Sequence, residues 1–377
     1  MKIVCDDKIP FLKGVFEPYA QVVYLPGAKI TAADVRDADA IVTRTRTKCN
    51  ESLLAGSKVR MIATATVGFD HIDTAWCESH GISWTNAPGC NSGSVCQYIA
   101  SVLFSLSEEL KGKTLGIIGV GHVGSKVEAL ARTLGMNVLL NDPPRAKAEG
   151  PEGFVSLDEL LECSDIVTLH VPLASDTYHL IDSQALAKMN SNQILINSSR
   201  GEVVDGDALK TALKEKRLRG AVLDVWEHEP DIDPELLELV NIATPHIAGY
   251  SADGKAAGTV ASVRAVAHAL GIKELYDWNV SGIPGGGEFS IYGTPLGGKY
   301  TEEVLRKAIL HTYDVSVDCA ALRSDIGAFE SLRSNYPIRR EFEAFSLNLT
   351  DVSGESISIL YELGFVIGNA RISPPVF

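Results

Sequence analysis

Residues 114–135 read TLGIIGVGHVGSKVEALARTLG, and this stretch decides the fold. A short aliphatic run, Thr114–Gly119, stops at a glycine, and the helical pattern SKVEALARTLG follows almost at once. Strand, glycine turn and helix in that order open a doubly wound α/β domain. Gly119 permits the tight turn, Gly121 lets backbone approach a pyrophosphate, and Gly124 lets the helix pack close to the strand. His122 and Val123 complete the turn and offer backbone contacts. The helix N-terminus adds free N–H groups and the positive end of its dipole. The next strand, Asn137–Asn141, delivers Asp142, whose carboxylate suits both ribose hydroxyls and repels a 2′-phosphate. NAD is therefore expected over NADP, although Arg145 could pair with such a phosphate.

Downstream the alternation of strand and helix continues through Ile166–His170, Ile194–Asn197, Ala221–Val225 and Ile242–Thr244. That completes a dinucleotide-binding domain over residues 93–250. Upstream, Lys2–Cys5, Gln21–Leu25, Ala40–Thr43, Arg60–Ala65 and Ser83–Thr85 read as strands, most of them buried and parallel. A helical stretch spans 92–110, SGSVCQYIASVLFSLSEEL. After Tyr250, KAAGTVASVRAVAHAL is helical with one apolar face and returns to the first domain, which is thus discontinuous (1–92 and 251–282). Residues 281–298, dense in Gly and Pro, read as a linker. The tail, 286–377, begins with the helical TEEVLRKAILHTYDV and goes on to alternating runs, FSLNL and SISIL. Without clustered titratable groups, it reads as a small α+β dimerisation module. The expected class is α/β, two doubly wound domains plus this tail.

Composition sets limits. With 45% apolar and 22% charged residues the chain is an ordinary globular one. A net charge of −14 argues against nucleic acid or an anionic membrane surface as partner. The seven cysteines (5, 49, 77, 90, 96, 163, 319) are scattered, so neither a disulfide framework nor a zinc site is indicated. MKIVCDDKIP lacks the apolar run of a signal peptide, and a cytoplasmic setting is expected.

Three residues sit just past three successive strand ends. Arg200 follows ILINSS, Glu229 follows AVLDVWEH, and His246 follows IATP. Ligands of open α/β sheets bind beyond the carboxyl ends of the strands, so the three can converge on one crevice. Oxidising a hydroxyl needs a base for the O–H proton, and His is suited to that near neutral pH. A carboxylate on the other ring nitrogen fixes its tautomer, and a guanidinium holds a substrate carboxylate bidentately. Taken singly, the three read as a surface charge, a turn residue and a core histidine; their joint placement outweighs that. His71 reads as a turn residue and His170 as a group that positions backbone.

The turn Gly119–Gly124, with INSSRGEVVD, VLDVWEHEP and TPHIAGY in that order, resembles the D-isomer-specific 2-hydroxyacid dehydrogenase family over roughly residues 1–280. The resemblance implies a flavodoxin-like substrate domain, a Rossmann NAD-binding domain and homodimerisation through the tail. It implies that Arg200 binds the substrate carboxylate, His246 is the acid/base and Glu229 its partner. By the same resemblance Ser198, Ser199 and Arg200 line the cofactor, Asp224 faces the nicotinamide carboxamide and Gly249 contacts NAD. Thr45, Thr66 and Tyr250 match substrate-contacting positions. Where many relatives carry a Glu, this chain has Val95-Cys96-Gln97, expected to pack at a domain junction.

IVTRTRTK, residues 41–48, bears on the substrate. Strand periodicity puts Arg44, Arg46 and Lys48 on one face; if the strand ends near Thr43, the loop instead presents a basic cluster. Either way a local positive patch in an acidic protein suits a small phosphorylated 2-hydroxy acid, with Arg44 and Arg46 as candidate phosphate ligands. The same scaffold serves 3-phosphoglycerate dehydrogenases and NAD-binding corepressors, so turnover must separate these readings.

Overall fold

The computed structural model describes residues 1–107, 109–293 and 300–372. The chain forms two compact units, Met1–Asn91 with Ser251–Pro284, and Ser92–Tyr250 with Gly285–Phe377.

The first unit is built on a parallel sheet of β1 (Lys2–Asp6), β2 (Gln21–Leu25), β3 (Ala40–Thr43), β4 (Met61–Thr64) and β5 (Ser83–Thr85), ordered β2-β1-β3-β4-β5. This is the flavodoxin-like order. Alternate residues feed two cores, as a buried parallel strand requires. Ile3, Val42 and Ala63 meet Val263, Val266 and Ala267 of the returning helix Ala252–Leu270. Val4, Ile41 and Ile62 meet Leu53, Leu54 and Cys77 on the other face. Gly258 allows that helix its close approach, because a Cβ there would lie 2.5 Å from the Ala65 carbonyl oxygen.

The second unit carries β6 (Thr114–Ile118), β7 (Asn137–Asn141), β8 (Ile166–Leu169), β9 (Ile194–Asn197), β10 (Gly220–Leu223) and β11 (Ile242–Ala243). Their order is β11-β10-β9-β8-β6-β7, all parallel. The order reverses between β6 and β8, which places a binding crevice at the carboxyl ends of those strands. β7 ends the sheet on that side, and past it Val155 N donates to the Leu140 carbonyl (2.8 Å).

The tail adds a parallel three-stranded sheet, β12 (Gly287–Tyr292), β13 (Phe345–Val352) and β14 (Val366–Ile372), in that order. Two sequence expectations are corrected here. The Gly/Pro-rich linker contains strand β12, because GEFSIY finds a partner in β13 that local composition does not reveal. Positions 294–298 of that linker lie outside the described residues. SISIL is helical rather than extended, within Gly354–Glu362. Ser353 caps that helix through Ser356 N (3.0 Å), and Ser356 and Leu360, four apart, form its buried face. The tail also shares an apolar core with residues 92–250: Val315, Leu322 and Leu347 belong to the cluster that holds Leu103 and Ile242. Helix Val315–Ser324 covers the outer edge of β11, where Ala243 N donates to Cys319 Sγ at 3.4 Å.

No helix among the described residues is long and apolar enough to cross a membrane.

Candidate active site

The glycine turn follows β6 as its sequence requires. Gly119 has φ +85°, and a Cβ there would meet the His170 carbonyl at 2.8 Å. A Cβ on Gly124 would sit 2.0 Å from the Gly119 oxygen, so only glycine lets helix His122–Thr133 start this close to β6. Gly121 is different, since a Cβ there would meet nothing within 4 Å. Its open side, next to the start of the helix led by His122 and Val123, leaves backbone available to a phosphate.

Asp142 lies just past β7. Its carboxylate accepts from Val120 N (2.8 Å) and from Arg145 N (3.0 Å), capping helix Pro143–Glu149. Each oxygen retains a lone pair for a further donor such as a ribose hydroxyl. Arg145 is committed elsewhere, to Glu149 (2.8 and 2.7 Å) and to the Val120 carbonyl (2.8 Å), so its charge is already paired. At the third strand end, His170 bonds Thr168 Oγ1 through Nε2 (3.1 Å), and burial pushes its imidazole down to about 3.

β9 ends in Asn197, whose side chain organises the next three residues. Its Oδ1 accepts from Ser199 N (3.0 Å) and Ser199 Oγ (2.8 Å), and its Nδ2 donates to the Arg200 carbonyl (2.8 Å). Ser198 Oγ is buried without a hydrogen-bond partner among the described residues. Gly201 then passes so near Trp226 that a Cβ would lie 2.0 Å from its carbonyl carbon. The loops bearing Arg200 and Glu229 are thereby held side by side. Arg200 itself is half-buried, with Nη1 donating to the Ser199 carbonyl at 2.7 Å.

Glu229 and His246 meet directly, Nδ1 to Oε2 at 2.7 Å. The other Glu229 oxygen accepts from Trp226 N (3.0 Å). Burial pushes the Glu229 carboxyl up, yet the imidazole bond, its charge and the Trp226 N–H outweigh burial and hold it below its ordinary value. An ionised Glu229 has no proton to give, so Nδ1–H donates and Nε2 carries the ring's lone pair.

His246 has φ +57°, a left-handed backbone that a non-glycine residue adopts only when its surroundings impose it. Asp224, just past β10 and 1% exposed, imposes it. Its carbonyl accepts from His246 N (2.7 Å). Its carboxylate accepts from Thr244 Oγ1 (2.7 Å), Ile247 N (2.8 Å) and Ala248 N (3.0 Å). Thr244 spends its proton on Asp224, so the Tyr98 hydroxyl donates to Thr244 (2.8 Å). Burial raises the Asp224 carboxyl above its ordinary value despite the His246 imidazole and these donors. Gly249 and Tyr250 follow, with Tyr250 N closing a turn onto the Ile247 carbonyl (2.8 Å).

The sequence reading missed Thr244, Trp226 and Tyr98 as parts of this framework. Thr244 stands in the quoted TPH segment, while Tyr98 comes from a distant helix and leaves no local signal. Gln97, from the segment that departs from the family pattern, is buried and donates to Thr312 Oγ1 (3.3 Å) and the Arg340 carbonyl (2.9 Å).

On the first unit, β3 ends at Thr43 and the next residues form a turn with Thr45, Arg46 and Lys48 exposed. Arg44 does not join that exposed cluster, because its Nε pairs with the fully buried Asp6 carboxylate at 3.2 Å. Thr66 lies just past neighbouring β4; its hydroxyl contacts Thr64 Oγ1 (2.8 Å) and donates to the Gly68 carbonyl (2.9 Å). Thr45, Arg46 and Thr66 thus all lie past the carboxyl ends of adjacent strands.

The open side of Gly121, the lone pairs left on Asp142 and the unpartnered hydroxyl of Ser198 fit a dinucleotide.

The chain is similar to known proteins over most of its length. Residues 99–248 match the family described as D-isomer specific 2-hydroxyacid dehydrogenase, NAD binding domain, and residues 289–364 match a Domain of unknown function (DUF3410). A Bacteroides fragilis protein named erythronate-4-phosphate dehydrogenase is 48% identical over 359 residues, 93% of this chain and all (100%) of that protein. One of the same name from Escherichia coli O157:H7 is 41% identical over 377 residues, 97% of this chain and 98% of that protein. Among solved structures, D-lactate dehydrogenase from Aquifex aeolicus, complexed with NAD and lactic acid, matches with TM-score 0.63 and 30% identity. That match covers 74% of this chain and 98% of the other.

Proposed function

The chain belongs to the D-isomer-specific 2-hydroxyacid dehydrogenases, among the erythronate-4-phosphate dehydrogenases, and on that premise we propose how its residues oxidise 4-phospho-D-erythronate at C2 with NAD. The product is the 2-oxo acid, 2-oxo-3-hydroxy-4-phosphobutanoate, in pyridoxal 5′-phosphate biosynthesis. The observation that carries the assignment is the 2.7 Å bond from His246 Nδ1 to Glu229, which leaves Nε2 to handle the substrate proton.

His246 Nε2 takes the C2 hydroxyl proton, and Glu229 balances the charge that forms on the ring. Arg200 holds the C1 carboxylate and draws electron density from the neighbouring C–O group. Bound NAD supplies the acceptor for the C2 hydride. Gly119, Gly121, His122, Val123 and Gly124 hold its pyrophosphate and Asp142 its ribose. Ser198, Ser199, Arg200, Asp224 and Gly249 line its nicotinamide half. Thr45, Thr66 and Tyr250 contact the substrate, and Arg46 is the leading ligand for its phosphate. Arg44, paired with Asp6, supports that loop.

The protein works as a homodimer through its tail. Tyr292, Ile338, Tyr361, Val366 and Ile372 are large apolar residues exposed there, and several lie on or beside the sheet ending in β14. A cytoplasmic setting suits its seven unpaired cysteines.

The test is turnover. With NAD, 4-phospho-D-erythronate should exceed 3-phosphoglycerate by about tenfold or more in kcat/KM, and NADP should substitute poorly. Equal kcat/KM for the two acids would overturn the substrate assignment, and equal use of NADP the Asp142 assignment. Light scattering that gave a monomer mass at micromolar concentration would overturn the dimer.

A further inference from the structure

The tail supplies a cation that the chemistry described so far does not use. Arg339 is 5% exposed, and its Nη2 donates to the Ala248 carbonyl (2.5 Å) and to the Ser94 carbonyl (3.3 Å). Its guanidinium lies 4.3 Å from the ring centre of Tyr313 and 5.9 Å from that of Tyr336. Both phenols donate to the same Asp318 oxygen, at 2.8 and 2.7 Å. Burying a guanidinium has a desolvation penalty of several kcal/mol, and apolar side chains of similar volume often serve stability as well or better. Such an arrangement calls for a reason beyond folding.

Ala248 supplies one. It lies two residues past His246, and its N–H already donates to Asp224 Oδ2 (3.0 Å). The two peptide groups flanking Ala248 are therefore each pinned, one by Asp224 and the other by Arg339. The contact continues along the loop, where Tyr336 stands edge-on to Tyr250 with centroids 5.8 Å apart. Arg333 lies 6.0 Å from the Tyr250 ring centre. The other anchor of Arg339, Ser94, lies in the first turn of helix Ser92–Leu106, and the Ser94 hydroxyl donates to Glu341 (2.8 Å). Residues 333–341 thus tie the first turn of that helix to the loop that carries His246.

We propose that Arg339 is a positioning residue of the reaction: through the Ala248 carbonyl it holds the left-handed His246 loop so that the imidazole stays on Glu229. The segment matched by the domain of unknown function then has a role in the chemistry of its own chain, apart from dimerisation. This rests on His246 being the acid/base, and the experiment keeps the two apart.

Arg339→Met retains length and packing but neither charge nor donors. Its kcat should fall about 10- to 100-fold, the range expected when a reacting group is misplaced by about an ångström. NAD affinity by fluorescence titration and KM for the phospho-acid should change less than about threefold. The low-field proton resonance of His246 Nδ1–H on Glu229 should broaden or vanish in the variant, which general loosening of the tail would not cause. Arg339→Lys keeps the charge and can reach one carbonyl at a time, so it should lose less, about three- to tenfold. If the Met variant does not fold, the Lys variant decides. Wild-type kcat with an intact low-field resonance, in the folded Met variant or in the deciding Lys variant, overturns the proposal. So does a kcat loss matched by equal loss of NAD affinity. His246→Asn is measured alongside: turnover retained there sinks the acid/base reading itself, whereas a dead His246→Asn beside a fully active Arg339→Met sinks only the positioning role.

Discussion

The loop after β11 and the loop after β3 both follow short buried parallel strands, yet they are built on opposite plans. After β11, the backbone is pinned by Asp224, through Thr244, His246, Ile247 and Ala248, in a conformation that His246 would not choose alone. After β3, the turn is tied by Arg44 to Asp6 and by Thr47 Oγ1 to the Gly27 carbonyl (3.0 Å), while Thr45 and Arg46 between them, and Lys48 just beyond, remain exposed. The difference follows from the work each would do. Proton transfer requires atoms held to a fraction of an ångström, which calls for buried, fully bonded anchors. Recognition of a phosphate works through charge over several ångströms and tolerates an exposed turn.

The largest effect comes from breaking the pinned loop. Asp224→Ala leaves two backbone N–H groups and a hydroxyl without their acceptor, at roughly 1–3 kcal/mol each where they stay buried. A denaturant melt should report a loss of several kcal/mol, and kcat at a permissive temperature should fall at least about 100-fold. Near-normal kcat would show that the loop holds its shape without the carboxylate. Next comes the exposed loop. Arg46→Gln should raise KM for the phosphorylated acid about tenfold, leave kcat within about twofold and spare unphosphorylated erythronate. Equal losses for both acids would remove Arg46 as a phosphate ligand.

A smaller effect lies at the end of β8. The His170 imidazole titrates near 6.5 when unfolded but only at about 3 in the fold. Between those values the unfolded chain holds the extra proton, so the contribution is present above 6.5 and stability falls as pH drops toward 3. His170→Gln should flatten that acid loss by about 1 kcal/mol per pH unit, read from urea melts at pH 6 and pH 4.5. An unchanged slope would show that another group governs it.

The comparison also explains what could be read from the chain. Parallel strands announce themselves as short apolar runs, and Gln21–Leu25, Ala40–Thr43, Asn137–Asn141 and Ile194–Asn197 stand where their composition places them. The glycine turn is equally legible, because Gly119 and Gly124 leave no room for a Cβ. The tail is not. GEFSIY becomes a strand only by pairing with β13, and SISIL becomes a helix because Ser353 caps it and Leu360 must be buried. The pairing of β12 and the burial of Leu360 depend on distant contacts, and only the Ser353 cap is written locally. The same holds at the site: Arg200, Glu229 and His246 follow strand ends and can be picked out, whereas the anchors of the His246 loop cannot. Tyr98 and Arg339 reach that loop only through the packing of the tail and the helix Ser92–Leu106.

The acid/base role of His246 is tested most directly by steady-state turnover of 4-phospho-D-erythronate and NAD by His246→Asn, with NAD binding titrated in parallel. Its kcat should be lower by at least about 1,000-fold, the upper range for loss of an acid/base group, with NAD affinity within about threefold of the unaltered protein. A kcat within about tenfold of the unaltered protein, at normal NAD affinity, would contradict that role.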